Sequence, residues 1–249
     1  MTGLQDIAAR HCGTDVYRRG RRRDARRQPH WYEPACGTGR YLRVAASRGL
    51  RVTGVDASPH MVRYATDIFQ KRGLRGHFIE GDMCTVQPDL PVDFAFCLIN
   101  SIRHLPSDRA ILTHLETIGT ALRPGGIYAV GIGLTSYEEE MPTEDVWTGA
   151  RGRCRVTQVV QYLPASRARR KELAISHLTI TTPRRETHVD NIYELRSYDL
   201  AQWLRVLRRS PLEMVDVVDE RGDSLPEGAR SAVRGYGIFI LRRPRGRRD

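Results

Sequence analysis

Apolar and polar positions change period along the chain, and the changes mark out its elements. Leu50-Arg-Val-Thr-Gly-Val55 alternates into a short buried strand that stops at Asp56. Ser58-Pro59 then supplies an N-cap with proline at the first helical position. Met61, Val62, Ala65, Ile68 and Phe69 recur at helical spacing from there to about Arg72, where Gly73 closes the helix. His77–Glu80 reads as a strand ending in Gly81-Asp82-Met83. Val92–Ile99 reads as another, apolar throughout its second half, as a strand buried on both faces should be. Ile111, Leu112, Leu115, Ile118 and Leu122 share one side of a helix from Asp108 to Leu122. Arg123-Pro-Gly-Gly126 stops that helix, and Ile127–Ile132 is a fifth strand. Upstream, His30-Trp31-Tyr32 is a short strand leading into Glu33, and Leu42, Ala45 and Ala46 mark a helix that Gly49 ends.

Strand and helix alternate in the rhythm of a doubly wound, Rossmann-like α/β sheet, mostly parallel. Beyond Leu134 the period changes. Tyr137–Pro142 is a loop, and Arg153–Tyr162, Lys171–Thr181 and Thr187–Leu195 alternate as three strands, with a turn at Pro164–Arg167. Three such runs in succession predict a small antiparallel β sheet with one face covered. Tyr198 to Arg208 is a helix. Glu213–Val218 and Tyr236–Leu241 pair antiparallel as the last two strands and bring the main sheet to seven, its last strand antiparallel. The expected organisation is a basic N-terminal segment over residues 1–29, ordered only as a short helix near Leu4–Arg10. A main domain follows over 30–133 and 196–242, with an inserted antiparallel lid over 134–195 and a basic tail over 243–249.

The chain has 249 residues, 40% of them hydrophobic, enough for one substantial core. No window approaches eighteen consecutive apolar residues, so no membrane span is expected. Met1–Arg10 lacks the apolar region of a secretory signal. Five cysteines, an odd number with no Cys-x-x-Cys pair, read as reduced thiols of a cytoplasmic protein, not a disulfide framework or a metal site. The net charge of +11 is unevenly placed. Residues 1–30 carry +5 and residues 235–249 carry +4, which leaves +2 for the whole middle. Only Lys71 and Lys171 are lysines among the 40 basic residues, a codon-usage skew that weakens any argument from arginine count alone. The run Arg18–Arg23 with Arg26 and Arg27 is either a solvated tail or an arm for polyanions.

Candidate chemistry gathers at the strand ends. Glu33-Pro-Ala-Cys-Gly-Thr-Gly39 puts small residues where a loop meets a helix N-terminus, so a ligand can approach the backbone closely and meet free N–H groups. Glu33, Asp56, Asp82 and Asn100 each follow an apolar strand, and ligands of open α/β sheets bind outside the carboxyl ends of the strands. Asp56 lies about twenty residues past the glycine loop, the separation at which a carboxylate reaches ribose hydroxyls. No Lys-bearing phosphate loop is present. A dinucleotide fingerprint would want a third glycine where Leu42 stands, so NAD fits less well.

Glu33–Gly39, Val55-Asp56, Gly81-Asp82, the strand ending at Asn100 and Leu122–Gly126 together resemble the ordered motifs of class I S-adenosylmethionine-dependent methyltransferases, over roughly residues 30–133. The Ala-Cys-Gly-Thr-Gly-Arg form is common among bacterial members that act on small molecules. The resemblance implies S-adenosyl-L-methionine as cofactor. It places the Glu33–Gly39 loop, with Ala35, Cys36 and Gly37, along the methionine part, and Asp56, next to Ala57, on the ribose. It puts Met61 near the adenine, Asp82 on its amino group, the Met83 backbone beside the ring and Asn100 near the sulfonium. Ala35 stands where many members have glycine.

The expected reaction is methyl transfer to a nitrogen or oxygen of a small-molecule acceptor by in-line displacement. His104, a few residues past the fourth strand, is the candidate base. Tyr137, Trp147, Tyr193 and Arg196 are candidate linings of the acceptor pocket. Two alternatives remain: a cofactor-binding protein without transferase activity, and RNA methylation aided by the basic tails. Nucleic acid is disfavoured as acceptor because the fourth strand ends Leu-Ile-Asn-Ser, not in an Asn/Asp-Pro-Pro-aromatic motif. No Pro-Cys nucleophile is present either, and no aromatic stripe accompanies the arginines.

Overall fold

Trp31 and Tyr32 explain why so short a first strand forms. Both are fully buried, on opposite faces of β1 (His30–Pro34). The Trp31 ring packs on Phe94 and Phe96 of β4 (Val92–Cys97), with centroids 4.8 and 5.9 Å apart. Tyr32 joins the core on the other face, together with Ile111, Leu115 and Ile118 of α4 (Asp108–Ala121). The computed structural model describes residues 2–12, 28–230 and 232–246.

β1 is central in a seven-stranded sheet. On one side lie β2 (Arg51–Asp56) and β3 (His77–Glu80). On the other lie β4, β5 (Leu122–Leu134), β11 (Gly235–Arg242) and β10 (Glu213–Val218). β1 to β5 are parallel, and β11 runs antiparallel to both its neighbours. α2 (Arg40–Ser47) and α3 (Pro59–Lys71) run back from the carboxyl ends of β1 and β2, and α4 runs back before β5. Ser58 caps α3 as expected, its hydroxyl accepting from the Met61 amide. α5 (Leu200–Leu207) opens on a capping box between Asp199 and Gln202. The short α6 (Glu227–Arg230) precedes β11.

Three features depart from the sequence reading. Residues 143–196 form four antiparallel strands, not three. β6 (Thr143–Arg151) precedes β7 (Cys154–Ser166), β8 (Lys171–Thr181) and β9 (Glu186–Arg196). Every residue of β6 is exposed, so this edge strand has no buried face to impose an alternating pattern. β5 starts at Leu122, opposite Val92, and resumes its pairing at Ile127 opposite Phe94. Arg123–Gly126 therefore bulges within the strand instead of merely ending the helix. The N-terminal helix is longer than expected and firmly packed: α1 spans Thr2–His11 and buries Leu4, Ile7 and Ala8 in the core that holds Trp31. Residues 2–12 are thus part of the folded body. The Arg18–Arg27 run lies outside the described residues. No helix among the described residues is long and apolar enough to cross a membrane.

Candidate active site

The loop after β1 is built from left-handed backbone. Ala35 (φ 55°), Gly37 (φ 51°) and Gly39 (φ 66°) alternate with ordinary residues, and the turns they make send the Gly37 amide to Asp56 and the Gly39 amide back to the Cys36 carbonyl. Gly39 has a second constraint. A Cβ there would lie 3.1 Å from the Phe78 ring. Gly39→Ala is expected to cost about 1–2 kcal/mol of stability from the left-handed backbone alone. Denaturant titration reads this directly, and an unchanged midpoint would show the loop to be softer than drawn.

Asp56, at the end of β2, closes the loop. Its Oδ2 accepts from the Gly37 amide at 2.7 Å and its Oδ1 from the Ser58 amide at 2.9 Å. Each oxygen keeps a second lone pair for a ligand hydroxyl. Glu33 is buried (6% exposed), and its Oε2 has no hydrogen-bond partner among the described residues. Burial, and then the Asp56 carboxylate, push the Glu33 pKa well above the ordinary range. A carboxyl so placed lacks a positive partner.

Asp82 is exposed, and its Oδ1 accepts from the Cys84 amide at 2.7 Å. The turn behind it is pinned by α4. Burial lowers the His114 pKa to about 4, so the ring is neutral. Its Nδ1 donates to the Met83 carbonyl at 2.9 Å, while Nε2 accepts from the Tyr128 hydroxyl at 2.8 Å. Met61 and Ala57 are exposed on the same end of the sheet, and Cys36 is buried behind the loop with its amide on the Val55 carbonyl.

The end of β4 is strained. Ile99 (φ 52°) and Asn100 (φ 63°) both adopt left-handed backbone, which a β-branched residue rarely does, and Ile99 is 67% exposed. Two contacts hold them. The Ile99 amide donates to the Tyr236 hydroxyl at 3.0 Å, and the Gly133 amide donates to Asn100 Oδ1. Gly131 makes the first possible, since a Cβ there would sit 1.9 Å from the Tyr236 oxygen.

The 3₁₀ turn Ser101–His104 follows and carries the join to the second sheet. Arg103 is buried; its Nε donates to the Arg196 carbonyl at 2.9 Å, and its Nη2 pairs with Glu172 of β8. His104 stacks on Tyr193 of β9, with centroids 5.5 Å apart and planes 26° apart. By register, Tyr193, Ala174 and Tyr162 share one face of that sheet, the face turned to this turn. Burial by these neighbours, and then the Arg103 charge, lower the His104 pKa. The solvent-accessible face of the ring makes that shift modest in energy.

The topology thus brings Glu33, the Gly37–Gly39 loop, Asp56, Asp82 and Asn100 to one edge, outside the carboxyl ends of adjacent strands, with His104 beside them. The profile of the family described as "Methyltransferase domain" matches residues 32–126, the segment that supplies this edge. Residues 32–126 carry a methyltransferase domain. Glycine N-methyltransferase of Rattus norvegicus is 32% identical over 109 residues, 39% of this chain and 37% of that one. Malonyl-[acyl-carrier protein] O-methyltransferase of Serratia marcescens is 27% identical over 168 residues, 66% of this chain and 60% of that one. The chain therefore spans less than two thirds of each of these curated relatives. The solved S-adenosylmethionine-dependent methyltransferase from Clostridium acetobutylicum ATCC 824 is similar in fold. It has a TM-score of 0.76 at 14% identity, covering 98% of this chain and 92% of that one.

Within the methyltransferase domain, sequence reasoning missed Arg103, Ile99 and Tyr236. Arg103 had no periodic signal, and Tyr236 reaches the site only because β11 inserts beside β5. Two expected pocket linings are used elsewhere. Arg196 donates to Asp108 at 3.2 Å, alongside Arg170 at 3.0 Å and the Tyr198 hydroxyl at 2.8 Å. Burial alone would raise the Asp108 pKa, but these hydrogen bonds hold it below the usual carboxylate range. The Tyr137 hydroxyl shares its one proton between Gln202 Oε1 at 2.9 Å and the Ser197 carbonyl at 3.1 Å. Both residues fasten the second sheet to the domain. Trp147 is 49% exposed on β6.

Proposed function

We propose that this protein transfers a methyl group from S-adenosyl-L-methionine to a nitrogen or oxygen of a small-molecule acceptor. The observation that carries the reading is the unpartnered, buried Glu33 carboxyl beside the left-handed loop. It fits a ligand that brings positive charge and hydroxyls together, as this cofactor does with its ammonium, sulfonium and ribose. When bound, the cofactor supplies an electrophilic methyl that an acceptor lone pair takes as the carbon–sulfur bond breaks. Glu33 and the loop, with Ala35, Cys36, Gly37 and Gly39, hold the methionine part, and the free lone pairs of Asp56 take the ribose hydroxyls. Met61, Asp82 and the Met83 backbone hold the adenine, with the Met83 turn kept rigid by His114. Asn100 Oδ1 accepts from the Gly133 amide and keeps a second lone pair to offer near the sulfonium.

Residues 134–195 act as the acceptor lid in this reading. The Tyr162–Tyr193 face stands over the Ser101–His104 turn, excludes water and orients the acceptor. His104, neutral above its lowered pKa, receives the proton the acceptor gives up. The relatives' names support both nucleophiles, one being an N- and the other an O-methyltransferase.

The test is formation of S-adenosylhomocysteine by the full chain with S-adenosylmethionine and a panel of amino acids, amino sugars and hydroxy acids. Turnover with at least one acceptor is expected. His104→Ala should then lower kcat by about a hundredfold at little cost in KM. It should also abolish an acid limb of the pH–rate profile lying below the usual histidine range. Cofactor binding with no turnover on any acceptor would leave a binding protein instead.

A further inference from the structure

The end of the sheet opposite the methyltransferase site is strongly basic, and nothing in the reaction uses it. The parallel strands begin there and the crossover helices end there. α2 is followed by Arg48, and β2 starts at Arg51; α3 is followed by Arg72 and Arg75; α5 is followed by Arg208 and Arg209. All six are exposed, and none of their guanidinium groups has an ion-pair or hydrogen-bond partner among the described residues. The carboxylates at this end are few. Asp93 is already held by the His30 amide and Arg123, which leaves Asp89 and Glu213 among the described residues. The other end carries Glu33, Asp56, Glu80 and Asp82 at three strand termini. The asymmetry is one of placement, so codon usage, which would scatter arginine evenly, does not account for it. Complementing helix dipoles explains a cation at each helix C-terminus. It does not explain Arg51 or Arg75.

The chain's two most basic segments leave from the same end. The Cys12 thiol lies on the Asp93 carbonyl at 3.6 Å, and the Gln28 amide reaches the Gly49 carbonyl. The intervening sequence, residues 13–27, carries seven arginines against two aspartates. β11 also ends here, at Arg242, and runs on into Arg243 and Arg245. The surface is concave, with a cavity of about 440 Å³ between His30, Arg51, Thr53, Arg75, His77 and Asp89.

We propose that this face docks the phosphate backbone of a nucleic-acid duplex. Guanidinium groups match phosphate oxygens in bidentate geometry, and a row of unneutralised ones gains affinity by releasing condensed counterions. Among the described residues, the large exposed apolar residues at this end are Leu90 and Met214, and no exposed aromatic side chain lies there. That disfavours single strands, which need stacking platforms, and it disfavours a membrane or protein partner, which needs apolar anchors. The strands separate this face from the methyl-transfer edge by roughly 20 Å. The duplex is therefore a tether for the protein and not its methyl acceptor.

The experiment is fluorescence anisotropy of full-length protein with a labelled duplex of about twenty base pairs across a salt series. It is repeated with the Arg51→Glu, Arg72→Glu, Arg75→Glu, Arg209→Glu variant, whose fold is checked by its melting curve. Micromolar or tighter binding with a steep salt slope is expected at about 100 mM salt, and the variant should bind at least about tenfold more weakly with a flatter slope. Absence of wild-type binding overturns the proposal. So does equal binding by the folded variant, which would assign the affinity to the terminal segments alone. Tighter binding to phosphatidylserine vesicles than to duplex overturns it as well.

Discussion

Asp56→Ala is expected to weaken S-adenosylmethionine binding by about a hundredfold or more while the protein stays folded. Two losses combine. The carboxylate offers charge-assisted acceptors for ribose hydroxyls, each such bond worth roughly 1.5–3 kcal/mol. The same group holds the loop, because its oxygens accept from the Gly37 and Ser58 amides. Alanine leaves both amides without an acceptor and frees the Gly37 turn to relax. Asp56→Asn separates the two effects. It keeps one carbonyl oxygen for the backbone but loses the charge and puts an NH₂ against the other amide, so an intermediate loss is expected. Calorimetric titration of wild type and both variants reads the series. Wild-type-like affinity in folded Asp56→Ala would remove the ribose role. Absence of binding by the wild type would remove the cofactor.

Glu33→Gln is expected to move stability and affinity in opposite directions. Burial keeps the Glu33 pKa well above its unfolded value, so the folded state holds a proton that the unfolded state releases as pH rises. The wild type is therefore most favoured at acid pH. It loses stability as pH rises from the unfolded carboxyl value toward the folded one, by about 1.4 kcal/mol for each unit between them. Glutamine has the same shape and no proton to lose. The ligand-free variant should melt at the same or a higher temperature than wild type near neutrality, and the gap should close as pH is lowered toward the ordinary carboxyl range. Cofactor binding should suffer by about ten- to a hundredfold, because the buried group no longer becomes the anion that a bound cation requires. In the wild type that ionisation releases a proton, which titrations in two buffers of different ionisation enthalpy detect and which the variant should lack. Equal affinity with no proton release in either protein would make Glu33 a structural acid only.

The salt and charge-reversal behaviour proposed for the opposite face is independent of both results. Its residues lie at the strand starts, and these two carboxyl groups lie at the strand ends.

Much of this was legible in one dimension, and the reasons are local. Ser58-Pro59 caps α3 because a hydroxyl and a fixed φ act within one turn. Asp56 ends β2 because a buried apolar run must stop where the chain meets water. Period-2 and period-3.6 patterns exist only where one side of an element is buried, so β8 and α4 announced themselves while β6, exposed along its whole length, did not. The sequence by itself determined the order of elements, the parallel sheet, the glycine loop and the acidic residues that end the strands. Tertiary structure alone decided the rest, because it depends on groups distant in sequence. Arg103 became the fastening of the second sheet only when Glu172 and Arg196 arrived beside it. Tyr236 supports Ile99 from 137 residues away. Glu33 acquired its raised pKa from being enclosed, and arginines from three crossovers and the described C-terminal residues became one surface because a doubly wound sheet sends all its helix ends the same way.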